Sequence, residues 1–489
     1  MKSKIKKEII TGTCIDLSSE GKGIIKDNGR VILVNGLFIN EEAEVELLYK
    51  RAGVYYAKIK KLIKKSLDRI EPKCKVCTAC GGCQFQQLSY LAQLKYKTNK
   101  VKESLLRIGH IESKVNDCIG MDEPYNYRNK VQVPFGYNKF NKVIYGFFKE
   151  NSHEIIEIDN CYIEDKRAQK ILKTIKELLP RYNLRPYDED KLCGELRHVL
   201  IRTSYYKKEI MVVLVMNLDD FKGRNNFVRD LVKICPEITT IVLNINKRKT
   251  DVILGEKEKI LYGSGFILDK LCNLSFRISP KSFYQINPVQ CEKLYNLAID
   301  FAKLESSETI LDAYCGIGTI GLCASKFVKN VIGVEINKEA VLDAKNNAKA
   351  NNIKNANFVL EDASKFMLDL ASKNEKIDVV FLDPPRKGSD EVFLNSLIKL
   401  SPKRIVYISC NPATLARDLA FLKDTYEINK IQPVDMFPFT EHVETVVLLS
   451  RKNGWKRPKI DKNWRISWFA KSREILFFVA KMPYLVVNR

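Results

Sequence analysis

The feature that most restricts the fold is an alternation of apolar strands and helical segments over residues 271–450. Each short apolar run, such as 309–314 or 404–409, ends at a glycine, an acid or a cysteine and is followed by a helical stretch. Strands that alternate with helices in this way form a sheet covered by helices on both faces. Ligands of such sheets bind at the carboxyl ends of the strands. We therefore expect an α/β fold with its functional site at that edge.

Glycines and acids at the first three strand ends predict a nucleoside-binding cleft. The first strand runs into Gly316 and Gly318, and the second ends at Glu335. An acid about twenty residues after such glycines can accept hydrogen bonds from ribose hydroxyls. The third strand ends near Asp362, within reach of an adenine amino group. Because the turn lacks the third glycine of a dinucleotide site, the pattern favours S-adenosylmethionine over NAD.

The fourth and fifth strands end in residues that can carry out covalent chemistry. Asp383 follows the fourth strand, and two prolines after it fix an extended turn. Cys410 follows the fifth strand, and a helix after Pro412 would bring its N-terminus close, which lowers the pKa of a thiol. Two carboxylates and a histidine flank the turn before the last strand, and any of them could be a general base.

A thiolate, a carboxylate and a sulfonium methyl donor together suit methylation of a pyrimidine at C5. C5 is a poor nucleophile, but addition of a thiolate to C6 converts the ring into an enolate that is nucleophilic at C5. After C5 has taken the methyl group, a base removes the C5 proton and the thiolate leaves.

A second concentrated motif is a run of four cysteines, C-x2-C-x2-C-x2-C, at Cys74, Cys77, Cys80 and Cys83. A zinc site usually separates its two C-x2-C pairs by about a dozen residues or more, so this run is crowded for zinc. The spacing is closer to that of a bacterial ferredoxin, in which three cysteines hold one cubane and a distant one completes it. Spacing alone would select the first three, and zinc remains an alternative.

Composition indicates the partner and the compartment. The 82 lysines and arginines exceed the 59 acids, and the net charge of +23 favours a polyanion, first of all nucleic acid. No apolar run reaches the roughly 18 residues of a membrane span, and the basic N-terminus lacks a signal peptide. We therefore expect a cytoplasmic protein with no membrane partner, whose 14 cysteines are mostly reduced.

Periodicity and composition divide the chain into four segments. Residues 1–60 contain five short strands, which predict a small barrel of the kind that binds oligonucleotides. Residues 61–270 read as an α+β domain that includes the cysteines and an amphipathic helix near 88–116. The alternating region, 271–450, follows. Residues 451–489 form a basic tail that contains all three tryptophans and could stack on RNA bases.

The sequence resembles the ribosomal RNA uracil-C5 methyltransferases that carry a TRAM domain and an iron-sulfur cluster. The resemblance covers about residues 5–450. It rests on six motifs: Cys74-x5-Cys80-Gly-Gly-Cys83, Tyr127-Arg128-Asn129-Lys130, the run S-P-K-S-F-Y-Q-I-N at 279–287, Asp383-Pro384-Pro385-Arg386, Ser409-Cys410-Asn411-Pro412 and His442-Val443-Glu444.

The resemblance implies a role for each candidate residue. Cys410 is expected to be the nucleophile and Glu444, not Glu441, the base. The residues expected to contact S-adenosylmethionine are Gln285, Tyr314, Thr319, Glu335, Asp362 and Asp383. The family often has Asn at the Thr319 and Asp362 positions, and His at the Phe439 position. A [4Fe-4S] cluster is expected on Cys74, Cys80, Cys83 and the distant Cys161, with Cys77 as an extra cysteine.

The resemblance also implies the domains and the reaction. Residues 1–60 would be an OB-like TRAM barrel, 61–270 an iron-sulfur α+β domain and 271–450 a Rossmann-like methyltransferase domain, on which the helix near 88–116 packs. The expected function is S-adenosylmethionine-dependent formation of 5-methyluridine in 23S ribosomal RNA by a monomer. One alternative is the same reaction on transfer RNA, although the family's transfer-RNA members typically lack the cluster. A catalytically inactive RNA-binding assembly factor is another, which the intact Cys410 and Glu444 argue against.

Overall fold

The structure is a computed structural model that describes residues 3–4, 8–149, 152–250 and 252–454. The tail tryptophans Trp455, Trp464 and Trp468 lie outside the described residues, so the structure does not test their expected role in RNA stacking. The chain divides into two compact units between Leu67 and Asp68. No helix in the described ranges is long and apolar enough to cross a membrane.

The strands of the first unit form a sheet that closes on itself. As far as that unit is described, the strands are β1 (Ser3–Lys4), β2 (Ile9–Thr13), β3 (Asp16–Leu17), β4 (Gly23–Asp27), β5 (Arg30–Val34), β6 (Glu42–Arg51) and β7 (Val54–Lys64). Their order is β1-β6-β7-β5-β4-β3, and β2 also pairs with β6. Because β2 and β3 are consecutive in the chain, the path returns from β4 to β6 and encloses a core that includes Ile32 and Val45.

The end of this unit lies further along the chain than the sequence suggests. We expect Lys60, Lys61 and Lys64 to belong to a basic connector, but they lie within β7, which pairs with β6 up to Lys64. Ile59 and Leu62 of this strand pack on the core, whereas the three lysines are exposed. The strand therefore continues where charge alone suggests a linker.

The second unit begins with the cysteine run and an amphipathic helix. The two helices here are α1 (Cys77–Cys80) and α2 (Tyr90–Arg107). The Ser89 hydroxyl caps α2 by accepting a hydrogen bond from the Ala92 amide at 3.3 Å. Val101 and Leu105 are buried on one face of the helix, as the periodicity predicts.

A mixed sheet with two helices on one face follows. Its described elements are β8 (Lys130–Tyr137), β9 (Val143–Phe148), β10 (Ile155–Glu157), α3 (Lys166–Arg181), β11 (Leu196–Thr203), β12 (Ile210–Met216), α4 (Arg224–Ile234), β13 (Thr240–Ile245) and β14 (Lys257–Tyr262). The order is β10-β9-β8-β11-β12-β13-β14, with β12 and β13 parallel and the other pairs antiparallel. Ile171 of α3 and Leu231 of α4 pack on one face. Leu200 of β11 and Val213 of β12 do not belong to this core; they are part of the core of the C-terminal sheet.

A hairpin crosses the boundary that the sequence predicts at residue 270. It consists of β15 (Ile267–Leu271) and β16 (Leu274–Ile278). Ile267 and Phe276 are fully buried in the same core as Leu200 and Val213. The central and C-terminal sheets therefore share one continuous apolar core.

The C-terminal sheet has the expected α/β architecture. Its described elements, with a short 3-10 turn at Ser325–Phe327 between α6 and β18, are α5 (Pro288–Ala302), β17 (Thr309–Ala313), α6 (Thr319–Ala324), β18 (Asn330–Glu335), α7 (Lys338–Ala350), β19 (Ala356–Leu360), α8 (Ala363–Ser372), β20 (Val379–Leu382), α9 (Glu391–Leu400), β21 (Arg404–Ser409), α10 (Pro412–Leu422), β22 (Tyr426–Val434) and β23 (Glu444–Arg451). The order is β19-β18-β17-β20-β21-β23-β22. The first five strands are parallel and β23 is antiparallel to both neighbours. The α/β fold predicted from the alternation is confirmed.

Candidate active site

The register of three parallel strands brings candidate cofactor residues to one edge. Ala313 of β17 pairs with Val334 of β18 and with Leu382 of β20. The next residue of each strand therefore lies at the same edge of the sheet. These three residues are Tyr314, Glu335 and Asp383.

The glycine turn after β17 is bound to the acid at the end of β18. The Glu335 carboxylate accepts a hydrogen bond from the Gly316 amide at 3.1 Å. Gly316 has a φ of +54° and Gly318 a φ of +81°, a region that glycine adopts without strain. A Cβ on Gly318 would lie 2.8 Å from the Phe358 ring, whereas the space next to Gly316 is open. The turn therefore requires glycine at 318 and leaves room for a ligand beside 316.

Three further candidates are held at the same end of the sheet. One Asp362 carboxylate oxygen caps α8 and accepts two amide hydrogen bonds at 3.1 Å. The Tyr314 ring packs on Phe393, with the ring centroids 5.4 Å apart. The Thr319 hydroxyl, at the start of α6, lies 3.2 Å from the Tyr295 hydroxyl. Each side chain is thus oriented by an element that begins or ends at this edge.

Gln285 comes from a segment that precedes the sheet and is held by the central sheet. The side-chain amide of Asn129 donates to the Gln285 carbonyl at 3.1 Å, and the Asn129 amide donates to the Ile286 carbonyl at 2.9 Å. Buried Arg202 donates to the Pro280 carbonyl at 3.2 Å. Gln285 has no strand-end signal in the sequence, because no strand of the catalytic sheet ends there.

The antiparallel pair β21–β23 places the candidate nucleophile and base opposite each other. Ser409 pairs with Thr445, so the next pair outward is Cys410 and Glu444. Helix α10 begins at Pro412, directly after Cys410. The sequence separates these two residues by more than thirty positions, and only the register of the last strand brings them together.

Burial, not the helix N-terminus, determines the pKa of the thiol. Burial, together with the negative charges of Glu444 and Asp383, raises the pKa of Cys410 to about 12, although Arg386 acts in the opposite direction. A lowered pKa is expected from the sequence, but removal from water and two carboxylates outweigh the nearby helix. The thiol of the free protein is therefore protonated near neutral pH.

The two carboxyl groups of the site also favour their protonated forms. Burial raises the pKa of Glu444 above its ordinary value, and the charge of Asp383 raises it further. Burial likewise raises the pKa of Asp383. Among the residues that the structure describes, Asp383 has no hydrogen-bond or ion-pair partner. A carboxyl with a raised pKa is suited to take up a proton during a reaction.

Glu441 has a different environment from Glu444. Its carboxylate forms an ion pair with Lys100 of α2 at 2.9 Å, and it lies 3.1 Å from the ring nitrogen Nδ1 of His442. An acid held by a lysine is less available as a base, whereas Glu444 faces Cys410. The geometry thus favours Glu444 over Glu441, as the resemblance implies.

The loop before β23 is fixed by a fully buried ion pair. The Lys97 ammonium of α2 lies 2.5 Å from an Asp435 carboxylate oxygen, and neither side chain is exposed. Lys97 also donates to the Phe437 carbonyl at 3.0 Å, and the Tyr90 hydroxyl donates to Asp435 at 2.9 Å. Helix α2, far away in the sequence, therefore sets the position of the loop that ends at Glu444.

A second network holds the loop after Asp383. The Asn411 side-chain amide donates to the Arg386 carbonyl at 3.0 Å, and Arg417 donates to the Lys387 carbonyl at 3.0 Å. Buried Asp418 accepts hydrogen bonds from the Ser389 amide at 2.9 Å and the Tyr407 hydroxyl at 2.7 Å. The acid after β20 and the cysteine after β21 are thus connected through the first turns of α10.

One buried acid near the site lies inside a strand and not at its end, so the pattern of strand ends does not predict it. Asp312 lies inside β17; one of its oxygens accepts a hydrogen bond from the Gly321 amide at 2.7 Å. The other oxygen is buried and unpaired within the described part of the chain. Burial raises the pKa of this carboxyl to about 7. An acid in the otherwise apolar run T-I-L-D-A is the signal that marks it.

The candidate cluster ligands lie in one region. Cys83 and Cys161 contact the same small apolar cluster, made of Tyr127, Ile163 and Phe439. Burial raises the pKa of Cys83 to about 12, with smaller contributions from Cys80 and Cys74. Within the described ranges, however, no three cysteine, histidine or acidic side chains stand in metal-binding geometry. The donor chemistry fits an iron-sulfur cluster, but the thiols are not arranged around a metal position.

The family follows from comparison with known sequences. A model of the tRNA (uracil-5-)-methyltransferase family matches residues 89–452. The chain belongs to this family. The matched range contains every candidate cofactor and catalytic residue, and it confirms the RNA (uracil-5-)-methyltransferase class expected from the motifs.

Individual relatives agree with this assignment. The chain is 42% identical to an uncharacterized RNA methyltransferase of Clostridium tetani, over 89% of this chain and 94% of the relative. It is 42% identical to one of Halalkalibacterium halodurans, over 92% and 98%. The crystal structure of Pyrococcus abyssi tRNA (uracil-54, C5)-methyltransferase in complex with S-adenosyl-L-homocysteine is similar, with a TM-score of 0.73 and 29% identity over 90% of this chain and 99% of that one.

Proposed function

We propose that this protein forms 5-methyluridine in 23S ribosomal RNA, with S-adenosylmethionine as the methyl donor. The observation that carries the proposal is the register of β21 and β23, which puts Cys410 opposite Glu444, beside the partly buried Asp383. A thiol, a base and an acid at the carboxyl edge of a methyltransferase sheet are the groups that C5 methylation needs.

Each residue has a defined step in the proposed reaction. Cys410 loses its proton to solvent, and its sulfur forms a bond to C6 of the uracil as the C5–C6 π electrons move toward O4, which gives an enolate nucleophilic at C5. C5 then bonds to the methyl group as the bond between that methyl carbon and the donor sulfur breaks. Glu444 takes the C5 proton, and the electrons of that C–H bond restore the C5–C6 double bond as the sulfur–C6 bond breaks. The raised pKa of Glu444 suits it to receive this proton.

The edge of the sheet also suits the methyl donor. S-adenosylmethionine supplies an electrophilic methyl group on a positively charged sulfur. Open space beside Gly316 and the partly buried carboxyl of Asp383, which has no partner in the described part of the chain, fit a ligand that carries positive charge. The residues that would hold it are Gln285, Tyr314, Thr319, Glu335, Asp362 and Asp383, with Glu335 directed toward the ribose.

Ribosomal RNA is preferred over transfer RNA because of the cysteine pattern. Cys74, Cys80, Cys83 and Cys161 are proposed to hold a [4Fe-4S] cluster, which the transfer-RNA members of the family typically lack. The proposed domains are a TRAM barrel at 1–60, an iron-sulfur domain at 61–270 and the methyltransferase domain at 271–450, acting as a monomer. The net charge of +23 supports binding to the RNA backbone.

Transfer RNA remains the second candidate substrate. The matching family model is named for transfer RNA, and so is the substrate of the Pyrococcus abyssi relative. Mapping 5-methyluridine in both RNA classes, from cells with and without this gene, separates the two. Loss from 23S RNA alone is the expected result; loss from transfer RNA alone would overturn the proposed substrate but not the chemistry.

A further inference from the structure

The turn between β11 and β12 presents aromatic and basic side chains together. Tyr205, Tyr206, Lys207 and Lys208 are four successive exposed residues, and each tyrosine is 44% exposed. The two rings are perpendicular, with centroids 4.9 Å apart, and the Lys208 ammonium lies 5.0 Å from the centroid of Tyr205. Tyrosine faces and lysines on one short surface are the combination that binds unpaired nucleic-acid bases and their phosphates.

A buried carboxylate fixes the backbone of this turn. Asp269 of β15 has no exposed surface. It accepts hydrogen bonds from the Ser204 hydroxyl at 2.9 Å and from the amides of Tyr205 and Tyr206 at 3.0 and 2.9 Å. A surface loop with exposed tyrosines is ordinarily free to move. Here the backbone that carries the rings is held in place, so that binding a ligand costs less further ordering.

A second set of contacts supports the turn from the helical layer. Arg167, at the start of α3, donates to the Ser204 carbonyl at 3.0 Å and to the Lys208 carbonyl at 3.2 Å. The Tyr206 hydroxyl donates to Glu292 of α5 at 2.7 Å. These bonds engage the hydroxyl of Tyr206 but leave the ring of Tyr205 exposed beside Lys208.

The turn lies next to the segment that carries a candidate cofactor residue. Thr203, the last residue of β11, donates its amide to the Asn129 carbonyl at 2.8 Å. Asn129 in turn holds the Gln285 carbonyl. Glu292 is in the first turns of α5, whose N-terminus is hydrogen-bonded to the loop that leads to Glu444. Hydrogen bonds thus connect the turn to the Gln285 segment and to α5.

We propose that the turn Tyr205–Lys208 is a stacking site for an unpaired base of the RNA that flanks the target uridine. The proposal rests on the proposed function, since it names the RNA of that same reaction. The Tyr205 ring stacks on the base, and Lys207 and Lys208 neutralise adjacent phosphates. A base pulled out of a helix for methylation leaves unpaired neighbours, and a rigid aromatic surface beside the site would hold one of them.

The chain offers a matched control on the opposite edge of the catalytic sheet. Phe327 is 42% exposed, and the Lys326 ammonium lies 4.8 Å from its ring centroid. These residues precede β18, so they lie at the amino edge of the sheet. The pair has the same chemistry as Tyr205 with Lys208 but the wrong location.

Binding of a labelled single-stranded oligouridylate tests the site. Tyr205→Ala should weaken binding about tenfold with an unchanged salt slope, whereas Tyr205→Phe and Phe327→Ala should bind like the wild type. Lys207→Gln should lower the slope of log K against log salt by about one phosphate contact, and it carries the test if Tyr205→Ala does not fold. Binding of an oligouridylate–oligoadenylate duplex should not respond to Tyr205→Ala, because paired bases offer no free face.

The outcomes separate this site from the proposed function. Wild-type affinity of Tyr205→Ala, or an equal loss in Phe327→Ala, would overturn the stacking site while methylation by the wild type stands. If the turn variants lose RNA binding but the wild-type protein methylates no uridine, the proposed function is wrong and the binding site remains.

Discussion

At the scale of single residues, the site combines groups that are costly to ionise where they lie. Burial raises the pKa values of Cys410, Glu444 and Asp383 together, and the charge of Arg386 opposes the change for the thiol and for Glu444. A folded state that keeps such groups out of water loses stability in order to hold reactive groups ready. Substitution of one of them should therefore affect activity and stability in opposite directions.

Glu444→Gln should abolish release of 5-methyluridine, because the C5 proton is not removed, and it should stabilise the free protein. The ordinary glutamate pKa is 4.5 and the folded value is higher, so the unfolded chain ionises first as the pH rises. The wild type thus loses stability above that pH, by about 1.4 kcal/mol for each pKa unit. The melting temperature of the variant should exceed that of the wild type near pH 8, by about 1 °C for each kcal/mol. Near pH 4 the two should agree.

Glu441→Gln is the matched control for this prediction. It removes a nearby acid whose carboxylate forms an ion pair with Lys100, so it should not raise the melting temperature. Equal melting temperatures of wild type and Glu444→Gln at both pH values would show that Glu444 is not held in a desolvated environment.

The sequence predicts residues better than it predicts their environments. Spacing marks Glu335, Asp383 and Cys410 because each follows an apolar strand. It cannot show that Cys410 faces Glu444, which depends on the antiparallel register of β23. From the helix at Pro412 the sequence suggests a lowered pKa of the Cys410 thiol. The pKa is raised instead, because it is set mainly by burial, which depends on the whole fold.

At the scale of elements, α2 supports a catalytic loop that is far away in sequence. Lys97 and Asp435 are completely buried, so neither charge can be compensated by water. Each charge has one further hydrogen bond: the Tyr90 hydroxyl donates to Asp435, and Lys97 donates to the Phe437 carbonyl. A pair of this kind positions a loop rigidly, but it depends on both partners.

Lys97→Met should destabilise the protein by about 3–5 kcal/mol, because it leaves the buried Asp435 carboxylate without a positive charge beside it. Denaturant unfolding measures the loss. The double variant Lys97→Met with Asp435→Asn should recover part of it, since the uncompensated charge is gone. Arg107→Met, on the same helix, removes an exposed ion pair with Glu103 and should cost less than about 1 kcal/mol. A similar small cost for Lys97→Met would contradict the role of the pair.

Elements were predictable where one periodicity dominates. Helix α2 and the strands of the catalytic sheet follow from apolar spacing. The end of β7 does not follow from spacing, because its run of lysines resembles a charged linker in sequence. The order of the strands and the shared core around Leu200 and Ile267 depend on tertiary pairing, which spacing does not encode.

At the scale of the whole molecule, the proposed cluster would join distant parts of the second unit. The run from Cys74 to Cys83 precedes α2, whereas Cys161 follows β10. The Phe85 amide donates to the Phe439 carbonyl at 2.9 Å, so the cysteine segment also contacts the loop that leads to Glu444. A cluster here would fix the segment that supports the catalytic loop.

Anaerobically purified protein should contain about four irons per chain. Cys161→Ser and Cys83→Ser should lose iron and labile sulfide, because each removes a proposed ligand. Cys77→Ser is the matched control and should keep both, although Cys77 lies in the same run. One zinc per chain, or loss of iron in Cys77→Ser alone, would reject the proposed ligand set.

The most direct measurement is capture of the nucleophile on substrate RNA that contains 5-fluorouridine, with S-adenosylmethionine present. Fluorine cannot leave as a proton, so the reaction should stop with Cys410 bonded to C6, and mass spectrometry of the digested adduct should locate the RNA on that residue. Cys410→Ala should still bind the RNA but form no adduct, and Cys193→Ala should form it normally. Methylation of ordinary RNA without any adduct, or an adduct on another cysteine, would contradict the proposed C6 addition by Cys410.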